Sequence, residues 1–362
     1  VRKLVVSFVA GATALALAAC GPDPTTEAAG SGEMAFTREE VSIAAALRQI
    51  EGHHLAAQAL LDAGDPTSAQ VHAEHPIVEL MDLVTEEVAE HAEDGQTHVD
   101  ALEQGTKAAA EAAAAEDGGA LGTAAADSAA AVADAEAALP GGGTEAFTGS
   151  VIASLLSTAA HEYEEAVLDG QLELLVEFQD AYAFATVARS MYDTIAPAVE
   201  AASAEEAAEI EEAFETLAAA LPGIEAPATL ADAEDVEAAT TLIGHELEET
   251  VGAIVPEAAD PDEVWANIHA LLDDIQTTYE AGDPDEAAEL AAEAYLENYE
   301  LVEAAVIEAA PEVNAELEPL LGADLRAQIA AGIGTEELAT MIERARVLIG
   351  DAMEATGASG EH

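Results

Sequence analysis

From Thr37 onward, apolar residues recur at helical spacing among alanine and glutamate, and runs of β-branched residues are absent. The expected fold class is all-α: two helical-bundle modules built from antiparallel helical hairpins. A first module covers residues 37–105, and a second helical domain covers 147–355. Between them Leu102 to Leu139 is nearly all Ala, Glu, Asp and Gly, without large side chains for a core, and it runs into Pro140-Gly141-Gly142-Gly143. Residues 106–146 are therefore expected to be an Ala/Gly-rich segment and linker, and 356–362 a tail. Breaks are expected near Pro197, Pro222-Gly223, Pro256, Asp260-Pro261 and Gly282-Asp283-Pro284.

The pattern contains a repeat. Ala63-Gly64-Asp65-Pro66-x-x-Ala69 recurs as Ala281-Gly282-Asp283-Pro284-x-x-Ala287. Glycine ends one helix in the left-handed conformation, aspartate caps the next, and proline takes its first position. Each copy is expected to be a helical hairpin. A second echo sets His161-Glu162-x-Glu164-Glu165 against His245-Glu246-x-Glu248-Glu249.

The first hairpin carries candidate chemistry. His53 lies eleven residues before Gly64 and His75 eleven after it, so the two are level on antiparallel arms, and His54 is an alternative to His53. His72, His75 and Glu79 share one side of the second arm, beside an apolar stripe of Ile77, Leu80, Leu83 and Val84. Imidazoles with a carboxylate suit iron, zinc or copper. Pro76 should kink or restart this arm. In the repeat alignment Glu293 and Glu297 occupy the places of His75 and Glu79. With Glu300 and His269 they make a harder, oxygen-rich set that suits iron or manganese. The His-Glu-x-x-Glu segments lack the second histidine of the zinc-protease motif, no nucleophile triad or phosphate loop is present, and an enzyme is not expected.

Charge narrows the partners. There are 74 acidic and 9 basic residues, a net charge of -65. Nucleic acid is excluded, because phosphates need a basic footprint. A cation-binding surface and adaptation to high salt both remain open. At the other end, Arg2-Lys3, the short apolar run Leu4 to Ala16 and Leu17-Ala18-Ala19-Cys20 resemble a bacterial lipoprotein signal. Residues 1–19 are then a signal peptide, Cys20 the lipidation site and 20–36 a polar tether, which places the protein on the outer face of the membrane. Val1 suggests a GTG start codon. As the sole cysteine, Cys20 leaves no internal disulfide and no thiolate metal site.

Residues 159–184, with Ala-Ala-His-Glu-Tyr-Glu-Glu-Ala-Val-Leu-Asp-Gly-Gln and then Glu177-Phe178-Gln179-Asp180-Ala181-Tyr182-Ala183-Phe184, resemble the extracytoplasmic helical region of bacterial high-affinity iron permeases. So do residues 279–303, through the Gly-Asp turn and Tyr295-Leu296-Glu297-Asn298-Tyr299-Glu300. The run Gly52-His53 with His72-Ala73-Glu74-His75-Pro76 and Glu79 looks like a motif of uncharacterised exported helical proteins. The permeases carry intramembrane Arg-Glu-x-x-Glu motifs. Arg38-Glu39-Glu40-Val41-Ser42 lacks the last glutamate, so the resemblance implies binding or delivery and not the transport step. It also implies Glu162, Glu165, Glu177 and Asp180 as candidates for a further metal site. The expected function is an extracytoplasmic lipoprotein that binds iron and delivers it to a membrane permease. The alternative is a non-metal envelope interaction or spacer protein whose acidity reflects high salt.

Overall fold

The computed structural model describes residues 36–168, 170–256 and 261–358. The signal segment, Cys20 and nearly all of the tether fall outside them. The chain runs α1 (Arg38–Ala63), α2 (Pro66–His75), a π-helical turn Pro76–Leu80, α3 (Met81–His91), α4 (Gly95–Ala114) and α5 (Gly118–Ala138). Then come α6 (Glu145–Ala166), the two-residue strands β1 (Val167–Leu168) and β2 (Gln171–Leu172), α7 (Leu175–Ala202), α8 (Ala204–Ala220) and α9 (Ala233–Val251). The last part is α10 (Pro261–Ala281), α11 (Pro284–Ala294), a π turn Tyr295–Tyr299, α12 (Glu300–Ala309) and α13 (Pro311–Pro319). A π turn Leu320–Asp324, α14 (Leu325–Ala330) and α15 (Thr335–Thr356) complete it. Among the described residues the protein is all-α apart from the antiparallel pairing of β1 with β2. No helix among the described residues is long and apolar enough to cross a membrane.

The hairpin chemistry is local. Gly64 takes φ 87°, Asp65 Oδ1 accepts from the Ser68 N–H at 3.1 Å, and Pro66 opens α2. Gly282 takes φ 91° and Pro284 opens α11, but Asp283, expected to cap that helix as Asp65 caps α2, makes no side-chain cap hydrogen bond. Both copies continue into a π turn, Pro76–Leu80 and Tyr295–Tyr299, so the sequence repeat is a structural one. Pro76 thus restarts the helical run after His75. Pro197, expected near a break, lies inside α7. It removes one backbone donor, but Met191, Ile195 and Val199 bury the same face on both sides of it, and that burial carries the helix through.

Large apolar side chains form two main cores. The first gathers Leu47, Ile50, Val132, Phe147, Leu155, Phe178, Phe184, Tyr192, Phe214 and Ile243 from α1 through α9. The second gathers Trp265, Leu272, Tyr299, Leu321, Ile342 and Ile349 from α10 through α15. Residues 106–146, expected as a linker, are mostly helix: Val132, Ala135 and Leu139 join the first core, while Ala109, Ala113, Leu121 and Ala124 form a small cluster of their own with Ala57 and Ala73 of α1 and α2. Small residues are the reason: an alanine Cβ at Gly105 would stand 3.0 Å from Ser128 Cα, so α4 and α5 pack almost backbone to backbone. The glycine turn is equally tight. Gly141, at φ 78°, lies under Phe36, whose ring meets Phe147 edge-on at 5.1 Å.

Candidate metal centre

Three helices bring the site together. His53 is carried by α1, His72 and His75 by α2, and Gln179 and Asp180 by α7. The contact of α1 with α7 is set at Gly52, where an alanine Cβ would come within 2.5 Å of the Phe184 ring. The missing side chain lets Phe184 lie edge-on to His53 at 5.2 Å, which holds Asp180, one turn earlier on α7, over the imidazoles. For Gly52→Ala we expect a net destabilisation of up to about 2 kcal/mol, since the helix-propensity gain of about 1 kcal/mol opposes an overpacking cost of about 1–3 kcal/mol. Any metal affinity of the centre should fall as well, because α7 is displaced; unchanged affinity by calorimetric titration would refute this.

His53, His72 and Asp180 are buried and His75 sits at the rim, a quarter exposed. His72 Nδ1 lies 3.0 Å from Asp180 Oδ1, and His72 Nε2 lies 2.8 Å from Gln179 Oε1. His53 Nδ1 is 2.8 Å from the same Asp180 oxygen without hydrogen-bond alignment, and His75 Nδ1 is 3.9 Å from Asp180 Oδ2. Ring centroids are 5.3 Å apart for His53 and His75 and 5.7 Å for His72 and His75. One ligand atom from each of His53, His72, His75 and Asp180 lies within 4.8 Å of the others.

Electrostatics sort the protonation states. Burial pushes the Asp180 carboxyl upward, but the close contact with His53 and the hydrogen bond and charge of His72 outweigh it and hold it well below the usual carboxylate range. Burial pushes His72 down, yet its Asp180 hydrogen bond and charge, with Gln179 and Glu177, keep it above the ordinary imidazole value. Burial and then His53 depress His75 to about 4, against the pull of Asp180. His54, buried beside His53, is pushed down to about 3, and neither ring nitrogen has a hydrogen-bond partner among the described residues.

The four groups fit a cation. His53 Nδ1 and His72 Nδ1 converge on one carboxylate oxygen, and only the second is aligned as a hydrogen bond. A metal ion accepts lone pairs from all of them, where a single proton serves one pair. The repeat offers a control. Moving 218 positions along the repeat puts His53 on Leu271, His54 on Leu272 and His72 on Leu290. The same hairpin is therefore built with leucines where the first copy buries imidazoles.

The other sequence candidates are placed differently. Asp180, assigned by resemblance to a separate site, joins the first-hairpin histidines. The Glu79 side chain lies outside the described residues, as do those of Glu297 and Glu300. Glu293 is half-buried, and burial followed by Asp274 raises its carboxyl. His269 does not meet it but takes an Arg346 guanidinium nitrogen 3.1 Å from its Nδ1, a cation where a metal would stand. Glu165 is buried against His161 at 3.2 Å, while Glu162 and Glu177 have polar partners of their own. Two further groupings lie nearer the surface, Glu39 with Glu87 and His91, and His245 with Glu246 and Glu249. Gln179 escaped the sequence reading because an amide carries no metal signature. Asp180 was reached only through the resemblance and for another site, although a signal existed: it continues the helix face of Phe184, Val187 and Met191, which is otherwise apolar and buried.

No curated protein and no solved structure matches this chain. A family model does match, over residues 143–254, from the glycine turn through α6, α7, α8 and α9. The match is shorter than the 147–355 expected from resemblance, and it includes Gln179 and Asp180 but not the three histidines. Residues 143–254 thus match the iron permease-associated 4-helix bundle domain, consistent with the helical region of iron permeases, and the match suggests a part in iron uptake.

Proposed function

We propose that this protein binds a metal ion, iron foremost, through His53, His72, His75 and Asp180, and delivers it to a membrane iron permease. One observation carries the reading: three imidazoles and an ionised, buried carboxylate from three helices point at one volume. The permease-associated domain supports iron over zinc or copper, because its own helix α7 supplies Asp180. Lipid attachment at Cys20 is part of the same proposal and would keep the carrier at the outer membrane face. The role is binding and delivery, with no catalytic step.

In the metal-free protein the raised His72 shares its Nδ1 proton with Asp180, and its Nε2–H donates to the Gln179 oxygen. Loading replaces the Nδ1 proton with metal. Affinity should therefore rise with pH until it passes the His72 value, then level off, and fall on acidification. The test is elemental analysis of the purified untagged protein, with titrations of Fe2+ and Zn2+ between pH 5.5 and 8. One ion per chain with that slope supports the reading. No stoichiometric ion at any pH would sink it and leave the envelope-spacer reading.

A further inference from the structure

Among the described residues the centre offers one anionic ligand, Asp180. Three of its four donors are imidazoles, which suit Fe2+, Zn2+, Co2+ and Cu2+ better than hard trivalent ions, whose partners are oxygen anions. The site is a buried volume walled by Phe184, where an ion's charge is costly unless opposite charge meets it, and Asp180 is the one carboxylate among the described residues that groups with the three imidazoles, which favours the lower ionic charge.

Gln179 decides which nitrogen of His72 can act. Its side-chain oxygen lies 2.8 Å from His72 Nε2, inside the protein, with 3% of the residue exposed. That oxygen can only accept, provided the amide is oriented to face the ring, so Nε2 keeps its hydrogen. The lone pair then falls on Nδ1, on the side of Asp180 and His53. His53 and His75 also present Nδ1 to Asp180.

We propose that the centre is selective for a divalent ion held by the Nδ1 atoms of His53, His72 and His75 and one Asp180 oxygen, with Gln179 the positioning residue that fixes His72 in its ligating form. This rests on the metal-binding reading above and adds the charge class of the ion and the atoms that hold it. Among divalent ions, affinity should climb from Fe2+ through Co2+ to Cu2+.

Competition between Zn2+ and citrate-buffered Ga3+, both free of redox chemistry, tests the class on the full chain at pH 7.5. Zn2+ should fill one site per chain, and Ga3+ should not displace it. Long-range proton–nitrogen spectra of the zinc-loaded protein should show His72 bound through Nδ1 with a hydrogen on Nε2. Gln179→Leu should weaken Zn2+ by about 10–100-fold and lose that signature, and Gln179→Glu, which keeps an acceptor oxygen, should restore both. Tighter binding of Ga3+, abolished by Asp180→Asn, would overturn the divalent assignment and leave the metal site standing. Zinc bound through Nε2 of His72, or full affinity in Gln179→Leu, would overturn the positioning role. Failure of every ion to bind would remove the underlying site as well.

Discussion

His72→Ala is expected to lose metal binding and to destabilise the metal-free protein by roughly 3–5 kcal/mol, the cost of breaking one side of a buried charge pair. His72 has no exposed surface, and it is the aligned hydrogen-bond partner of Asp180. Its removal leaves that carboxylate to His53, which is near but not aligned. His75→Ala is expected to lose binding too, yet to cost less than about 1 kcal/mol, as rim substitutions do, because its side chain is a quarter exposed. The affinity loss in both should exceed the roughly 10–100-fold caused by outer-shell changes. Calorimetric titration and urea unfolding of the two variants give the comparison. Equal stabilities would show that Asp180 does not depend on His72, and undiminished binding in either would take that residue out of the site. The sequence alone suggested that neither substitution would disturb folding, since neither residue belongs to the apolar stripe. The structure revises this for His72, which faces α7 inside the protein.

The second large effect is on pH-dependent stability. Glu303 on α12 is buried, and burial, then Glu318 and more weakly Glu177, push it up to about 8 despite the hydrogen bond it accepts from Asn314 at 2.9 Å. No cation faces it among the described residues: its neighbours are Glu318, Glu177, Asn314 and Tyr299, whose hydroxyl donates to Asn314. The raised value means that the folded state holds the proton more tightly than the unfolded chain. The resulting stability is complete below the unfolded value near 4.5 and is lost as pH rises through about 8. Across that window the loss should be roughly 3–5 kcal/mol. Glu303→Gln should flatten the profile and be more stable than the wild type at pH 8.5, with little difference at pH 5. Asp180 acts at lower pH, where its depressed carboxyl is finally protonated, so it does not confuse this window. Urea midpoints at several pH values decide the matter, and parallel profiles for the two proteins would refute it.

The bulk of the acidity has another meaning. Most glutamates and aspartates outside these two places are exposed, and isolated surface carboxylates contribute little to stability. Most of the net charge of -65 therefore marks the surface of the protein.

What the sequence determined by itself is the local layer. Glycine at a left-handed position and a first-turn proline act within a few residues, so both hairpins and their turns could be read directly, although of the two expected caps only Asp65 accepts a helix N–H. The same arithmetic placed His53 level with His75, because two arms leaving one tight turn rise equally. The tertiary structure decided the rest. Whether α7 or solvent completes the histidine cluster depends on Gly52, whose missing side chain admits Phe184, a contact 132 positions away along the chain. The alanine-rich helices α4 and α5 looked too small for a core, and only their close approach at Gly105 and Ser128 shows how they pack. His269 and Arg346 lie 77 positions apart, and no spacing rule connects them. Periodicity fixes which face of a helix is buried, whereas the partner of that face is set by the summed packing of all helices at once.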